Sequence, residues 1–136
     1  MPMLGGPQTD LLSAQVASNL AQIAENDVTI TSNDALISSL TDQNTTLTDR
    51  NTTLTSDNAT IAAIILELVD PVEIAFMAAQ AAENDVSIAA NDVIITNNSA
   101  LISMLTDQNT TLTTQNSDLT DDNVLLAEII IEVAPN

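Results

Sequence analysis

Apolar and polar residues alternate along this chain with a seven-residue period. With Ile23 as position a, the a series runs Val16, Ile23, Ile30, Ile37, Asn44, Asn51, Asn58, Ile65. The d series runs Leu12, Asn19, Asn26, Asn33, Leu40, Leu47, Leu54, Ile61, Leu68. After Pro71 a second register begins, with a at Ile74, Ala81, Ile88, Ile95, Ile102, Asn109, Asn116, Asn123 and Ile130. Its d positions are Met77, Asn84, Asn91, Asn98, Leu105, Leu112, Leu119, Leu126 and Val133. Every seam position is aliphatic or Asn, which predicts α-helical coiled coil. Asp27–Thr31 and Asn91–Asn97 also alternate apolar and polar residues as a strand would. The heptads nevertheless cross both stretches without a change of phase, so helix is the stronger reading.

The two registers are copies. AENDVTI at Ala24–Ile30 returns as AENDVSI at Ala82–Ile88, and ALISSLTDQNTTLT at Ala35–Thr48 returns as ALISMLTDQNTTLT at Ala100–Thr113. The second copy gains Ala89–Ile95, a single heptad. A helix turns about 100° per residue, so an insertion of arbitrary length would throw the apolar seam off its face, whereas one heptad preserves it.

The organisation expected is a flexible N-terminal segment over 1–8, a helix over 9–69, a turn over 70–72 and a second helix over 73–134. Thr9 or Asp10 can cap the first helix. Asp70 before Pro71 is a suitable N-cap followed by the one residue that loses nothing at a first helical turn.

The copies could lie in line, as a parallel trimer or dimer, or fold back on each other. A buried Asn opposite an aliphatic residue loses about 1–3 kcal/mol, so amide pairing separates these options. Pairing positions equidistant from Pro71 sets Asn44 on Asn98, Asn51 on Asn91 and Asn58 on Asn84; on the other side Asn33 meets Asn109, Asn26 meets Asn116 and Asn19 meets Asn123. The aliphatic positions match as well, and the added heptad supplies one of the amide layers. The fold class expected is therefore all-α, a long helical hairpin in antiparallel coiled-coil packing with its turn at Asp70-Pro71. The alternative is an in-line parallel trimeric coiled coil. A slip of one heptad would set amides against aliphatics, so the Asn layers hold register.

A two-stranded coil needs only a and d. Leu36, Ile64, Ile94, Leu101 and Ile129 at g, with Val28, Val86 and Val93 at f, widen the apolar stripe and form the candidate self-association surface. Phe76, Leu125 and Ile131 also lie outside the seam.

Composition narrows the chemistry. The formal net charge is -18, from Lys+Arg 1 and Asp+Glu 19. Nucleic acid needs a basic surface to displace counterions, and anionic membranes need the same, so neither is an expected partner. No apolar run is long enough for membrane insertion. With no His, Cys, Tyr, Trp or Lys, the usual acid–base and nucleophilic groups are missing and no enzyme is expected. The Asp and Glu residues are read as a solvated face that keeps an assembly soluble. No cofactor is expected, apart from weakly held monovalent or divalent cations screening that face. Sequons at Asn44, Asn51, Asn58, Asn97 and Asn109 fall mostly on the seam, where a glycan has no room. MPMLGGPQTD lacks a basic n-region and an apolar h-region, so a conventional secretory signal is not expected. The acidic, Lys-free surface suits an extracellular or virion-associated assembly better than a cytoplasmic one.

The heptads Ile23-Ala-Glu-Asn26, Ile30-Thr-Ser-Asn33 and Ile95-Thr-Asn-Asn98 resemble the Asn-at-d repeats of trimeric adhesin and viral-fibre stalks. That resemblance implies a stalk or adaptor role, with a ring of Asn able to hold an anion. In that family Thr usually follows the Asn, whereas Asp27 and Asp34 follow here. The function expected is a non-enzymatic structural subunit whose partners are copies of itself, polymerising into a filament, fibre or shell; a coiled-coil stalk or adaptor is the alternative.

Overall fold

The computed structural model describes residues 6–133. They form an all-α helical hairpin of two helices, α1 over Gly6–Glu67 and α2 over Pro71–Val133, with no strand among the described residues. The stretches that alternate like strands lie inside α1 and α2.

Position in the heptad decides burial throughout. Among residues 6–133, every residue that is buried or half-buried stands at a or d, with Thr29 at g as the one exception. Leu47 and Ile61 are the most enclosed aliphatic side chains, at 7% and 8% exposure. The seam is thus narrow, as two-helix packing requires.

The break between the helices is Leu68–Asp70, as long as the turn expected over 70–72 but two residues earlier. The Leu68 amide donates to the Ile65 carbonyl at 3.2 Å, tightening the last turn of α1. Asp70 then caps α2. Its carboxylate accepts from the Val72 amide at 2.9 Å, and its carbonyl accepts the first helical bond from Ile74 at 3.0 Å. Pro71 is the first helical residue rather than a turn residue, because its fixed φ and missing N–H suit that place.

Helix α1 begins at Gly6, before the expected caps Thr9 and Asp10. Pro7 explains the earlier start, since a first turn tolerates proline without loss. Residues 6–8 of the segment expected to be flexible over 1–8 are helical, and its residues 1–5 lie outside the described residues, as does Ala134.

Threonine is a modest helix former, yet the NTTLT stretches are continuous helix. Thr41, Thr45, Thr46, Thr48, Thr52 and Thr53 each donate their hydroxyl to the carbonyl four residues back, at 2.8–3.2 Å. Thr110, Thr111, Thr114 and Thr120 repeat this in α2. The hydroxyls turn onto their own helix and keep its outer face polar without charge.

The chain divides into two compact units, each built from a length of both helices. One comprises residues 6–35 with 105–133, and the other is Leu36–Met104, which contains the break. In Leu36–Met104 the Asn91 amide donates to the Asn51 carbonyl oxygen at 2.8 Å, so this antiparallel pair is adjacent within one chain. Asn51→Cys with Asn91→Cys should form an intrachain disulfide in dilute oxidising solution, read as a faster-migrating monomer on a non-reducing gel. Crosslinks that join chains only through position 51 would contradict the hairpin.

Candidate functional site

The buried polar side chains of the seam are all asparagine. Asn19, Asn26, Asn33, Asn84 and Asn98 are buried, Asn26 to 4% exposure, and Asn44, Asn51, Asn58, Asn91, Asn109, Asn116 and Asn123 are half-buried. All are placed there by the 3.5-residue seam period, since a and d are the only positions facing the other helix.

Each amide meets the partner that pairing about Pro71 assigns to it. In the unit of 6–35 and 105–133, Asn19 donates to Asn123, Asn26 to Asn116 and Asn33 to Asn109, all at 2.8 Å. In Leu36–Met104, Asn84 donates to Asn58 and Asn91 to Asn51 at 2.8 Å, and Asn98 to Asn44 at 2.9 Å. The direction is uniform: the amide at d gives a proton to the carbonyl oxygen at a. Parallel stacking of like positions, as the in-line alternative requires, is not what these pairs show.

The flanking positions complete the layers. The a-position amide donates to the carboxylate that follows the d-position Asn on the opposite helix. Asn116 reaches Asp27 at 2.9 Å, while Asn109 reaches Asp34, Asn58 reaches Asp85 and Asn51 reaches Asp92, each at 2.8 Å. Where that place lacks Asp, the bond is longer. Asn44 reaches the Ser99 hydroxyl at 3.4 Å, and Asn123, facing a layer where Leu20 follows Asn19, reaches the Val16 carbonyl at 3.5 Å. Bonds to an ionised acceptor are shorter and stronger, which is the order seen.

Glutamine at g works from the other edge. Gln15, Gln22 and Gln80 donate to the carbonyl oxygens of Asn19, Asn26 and Asn84 at 2.8, 2.9 and 3.3 Å. Gln43 and Gln108 instead accept from Asn98 and Asn33 at 2.8 Å. Among the described residues, no buried side-chain nitrogen or oxygen lacks a partner. Gln at g, Asn at d, Asn at a and Asp at e thus form hydrogen-bonded rungs across the seam, and such a network can hold register.

This corrects one reading of the carboxylates. Asp27, Asp34, Asp85 and Asp92 were expected only to face solvent, yet each accepts from a seam amide. The signal lay in the recurring Asn-Asp dipeptide, whose second residue stands at e. The rungs join carboxamides and carboxylates to one another across the seam. No group of three or more His, Cys, Asp or Glu among the described residues is arranged to hold a metal ion.

The candidate self-association residues lie outside the rungs. Val28, Val86 and Val93 at f are 68%, 69% and 59% exposed. Leu36, Ile64, Ile94, Leu101 and Ile129 at g are near 40%, because the seam covers part of each. Sequence reasoning passed over Leu11, Leu20, Leu66 and Met104, all exposed. An apolar cleft of about 440 Å³ lies beside the break, lined by Ile64, Leu68, Val72, Glu73, Phe76 and Met77. No helix among the described residues is long and apolar enough to cross a membrane.

Comparison with known proteins adds no reading of the site: no family model, curated protein or solved structure matches the chain.

The Asp92 and Asp85 bonds are testable against the general effect of removing charge from an acidic chain. Asp92→Ala should lower the thermal midpoint relative to Asp42→Ala, a change at an outward f position. The difference should be about 1 kcal/mol or less, because a hydrogen bond to an exposed carboxylate is weakened by solvent. Equal midpoints in chemical or thermal denaturation would remove Asp92 from the rung.

Proposed function

We propose that this chain is a non-enzymatic structural subunit that assembles with copies of itself into a filament, fibre or shell. The observation that carries the reading is the exposed aliphatic set at f and g, left over after the seam has closed. Isolated surface aliphatics are ordinary, but a set that recurs at helical spacing beside a sealed two-helix seam favours packing on further helices.

The two edges of the seam differ in a way that supports this. The e edge carries the rung carboxylates Asp27, Asp34, Asp85 and Asp92 with threonine between them. The g edge carries Leu36, Ile64, Ile94 and Leu101 beside glutamine, with Arg50, Asp57, Glu73 and Asp122 as its charged positions. Copies meeting on the g edge bury aliphatic surface while the e carboxylates stay in water. Self-repulsion from a net charge of -18 opposes that approach, and dissolved cations screen it. An extracellular or virion-associated setting, where salt or divalent cations are plentiful, fits this balance.

Reactive side chains are scarce in the same direction. Arg50 is the single basic residue, and the sequence holds no His, Cys or Lys. The rungs hold carboxamides and carboxylates and add no thiol, amine or imidazole.

Light scattering and negative-stain microscopy test assembly directly. Particles should grow with ionic strength from about 10 mM to 150 mM salt, as the screening length falls from roughly 30 Å to 8 Å. Leu36→Asp with Leu101→Asp should abolish growth while circular dichroism stays helical. A monodisperse species of unchanged size across salt and chelator would overturn the proposal.

A further inference from the structure

The two compact units repeat each other with the helices exchanged. In the unit of 6–35 and 105–133 the donating d-position Asn residues belong to α1 and the accepting a-position residues to α2. In Leu36–Met104 the donors belong to α2 and the acceptors to α1. Each helix therefore carries a full set of donors and a full set of acceptors. Helix α1 has Asn19, Asn26 and Asn33 in one half, and Asn44, Asn51 and Asn58 in the other.

A helix with both sets is complementary to itself. Laying one α1 antiparallel on another, with Asn33 against Asn44, sets Asn26 on Asn51 and Asn19 on Asn58. The same register sets Ile37 on Leu40, Ile30 on Leu47, Ile23 on Leu54 and Val16 on Ile61. No amide faces an aliphatic residue. The flanking bonds carry over: Gln43 takes the place beside Asn33 that Gln108 holds in the hairpin, and Asp34 and Asp27 stand ready for Asn44 and Asn51. Helix α2 behaves alike, with Asn98 on Asn109, Asn91 on Asn116 and Asn84 on Asn123.

We propose that the seam itself is an interaction surface for a second copy of this chain. Helix α1 of one chain pairs with α1 of another, and the freed α2 pairs with α2 of a third, so that opened hairpins join into a linear polymer. This goes beyond packing of closed hairpins on their exposed stripes, because it uses the buried rungs and needs no stripe contact. Both pairings make the same kinds of layer, so the choice between them falls to concentration. The short Leu68–Asp70 connection holds α1 and α2 at an effective concentration of order millimolar. Closed hairpins win well below that value, and exchange competes as the protein approaches it.

Two single-cysteine variants of the full chain, Ile37→Cys and Leu40→Cys, separate the possibilities. Cysteine packs as a small apolar side chain, and helicity is checked by circular dichroism. The variants are unfolded together, refolded under reducing conditions and then oxidised. Exchange predicts a mixed disulfide between the two variants and none when either is refolded alone, because position 37 faces position 40. Refolding at about 1 mM rather than 10 μM should raise the crosslinked share at least about tenfold. A second pair, Ile30→Cys with Leu47→Cys, repeats the test at another layer in case the first does not fold. Absence of the mixed disulfide in a folded mixture overturns the proposal, even where filaments form. Crosslinking of Ile30→Cys with itself or of Leu47→Cys with itself, positions about 25 Å from their own copies in the antiparallel pair, would indicate parallel pairing and overturn it as well. Loss of filaments in the stripe variant Leu36→Asp with Leu101→Asp, with the disulfide retained, would set seam exchange apart from stripe packing.

Discussion

A buried amide has to meet a hydrogen-bonding partner, and nearly everything specific about this hairpin follows from that requirement. Aliphatic seams are forgiving: Leu on Ile costs little more than Leu on Leu, and a seam made only of such residues would accept several registers. An Asn set against Leu leaves an amide stranded and loses about 1–3 kcal/mol. Repeating that penalty along both helices converts a permissive apolar stripe into a single alignment. The amide at d donates, the amide at a accepts, and the latter's remaining proton goes to a carboxylate or the nearest oxygen.

The rungs also reconcile the duplication with the turn. Two copies in series would place like on like in a parallel oligomer, where symmetry alone pairs the amides. Folding one copy onto the other demands that the donor half of each helix lie against the acceptor half of its partner. Moving Asn from d to a partway along each copy meets that demand, and the inserted Ala89–Ile95 supplies the Asn91 rung with Asn51. Self-complementarity then follows without further design. A helix that can pair with its own duplicate can also pair with itself.

Much of this was legible in the sequence because the heptad rule ties residue type to face over many turns. The a and d positions, the pairing about Pro71 and the capping by Asp70 needed only periodicity, amide matching and the chemistry of proline. The role of Asp27, Asp34, Asp85 and Asp92 was less legible. Their e positions are exposed, and a carboxylate there is ordinarily solvent-facing; only the reach of an a-position amide across the seam gives them a partner. The choice of Gln as donor at Gln15 and Gln22 but acceptor at Gln43 and Gln108 was illegible, since one amide group serves either way. The start of α1 at Gly6 was missed because Thr9 and Asp10 look like caps, while Pro7 simply joins the first turn. The exposed f and g aliphatics lie outside the two-helix seam, and a heptad pattern names no partner for them.

Each amide is tolerated in the seam because it faces another, and a double-mutant cycle at Asn26 and Asn116 puts this to the test. Asn26→Leu and Asn116→Leu are compared with the double substitution by denaturant unfolding at one concentration. Each single change should lower stability by about 1–3 kcal/mol, by stranding the amide opposite. The double change should recover stability to the wild-type level or above it, because Leu then meets Leu. Additive losses, with the double variant weaker than either single one, would contradict it.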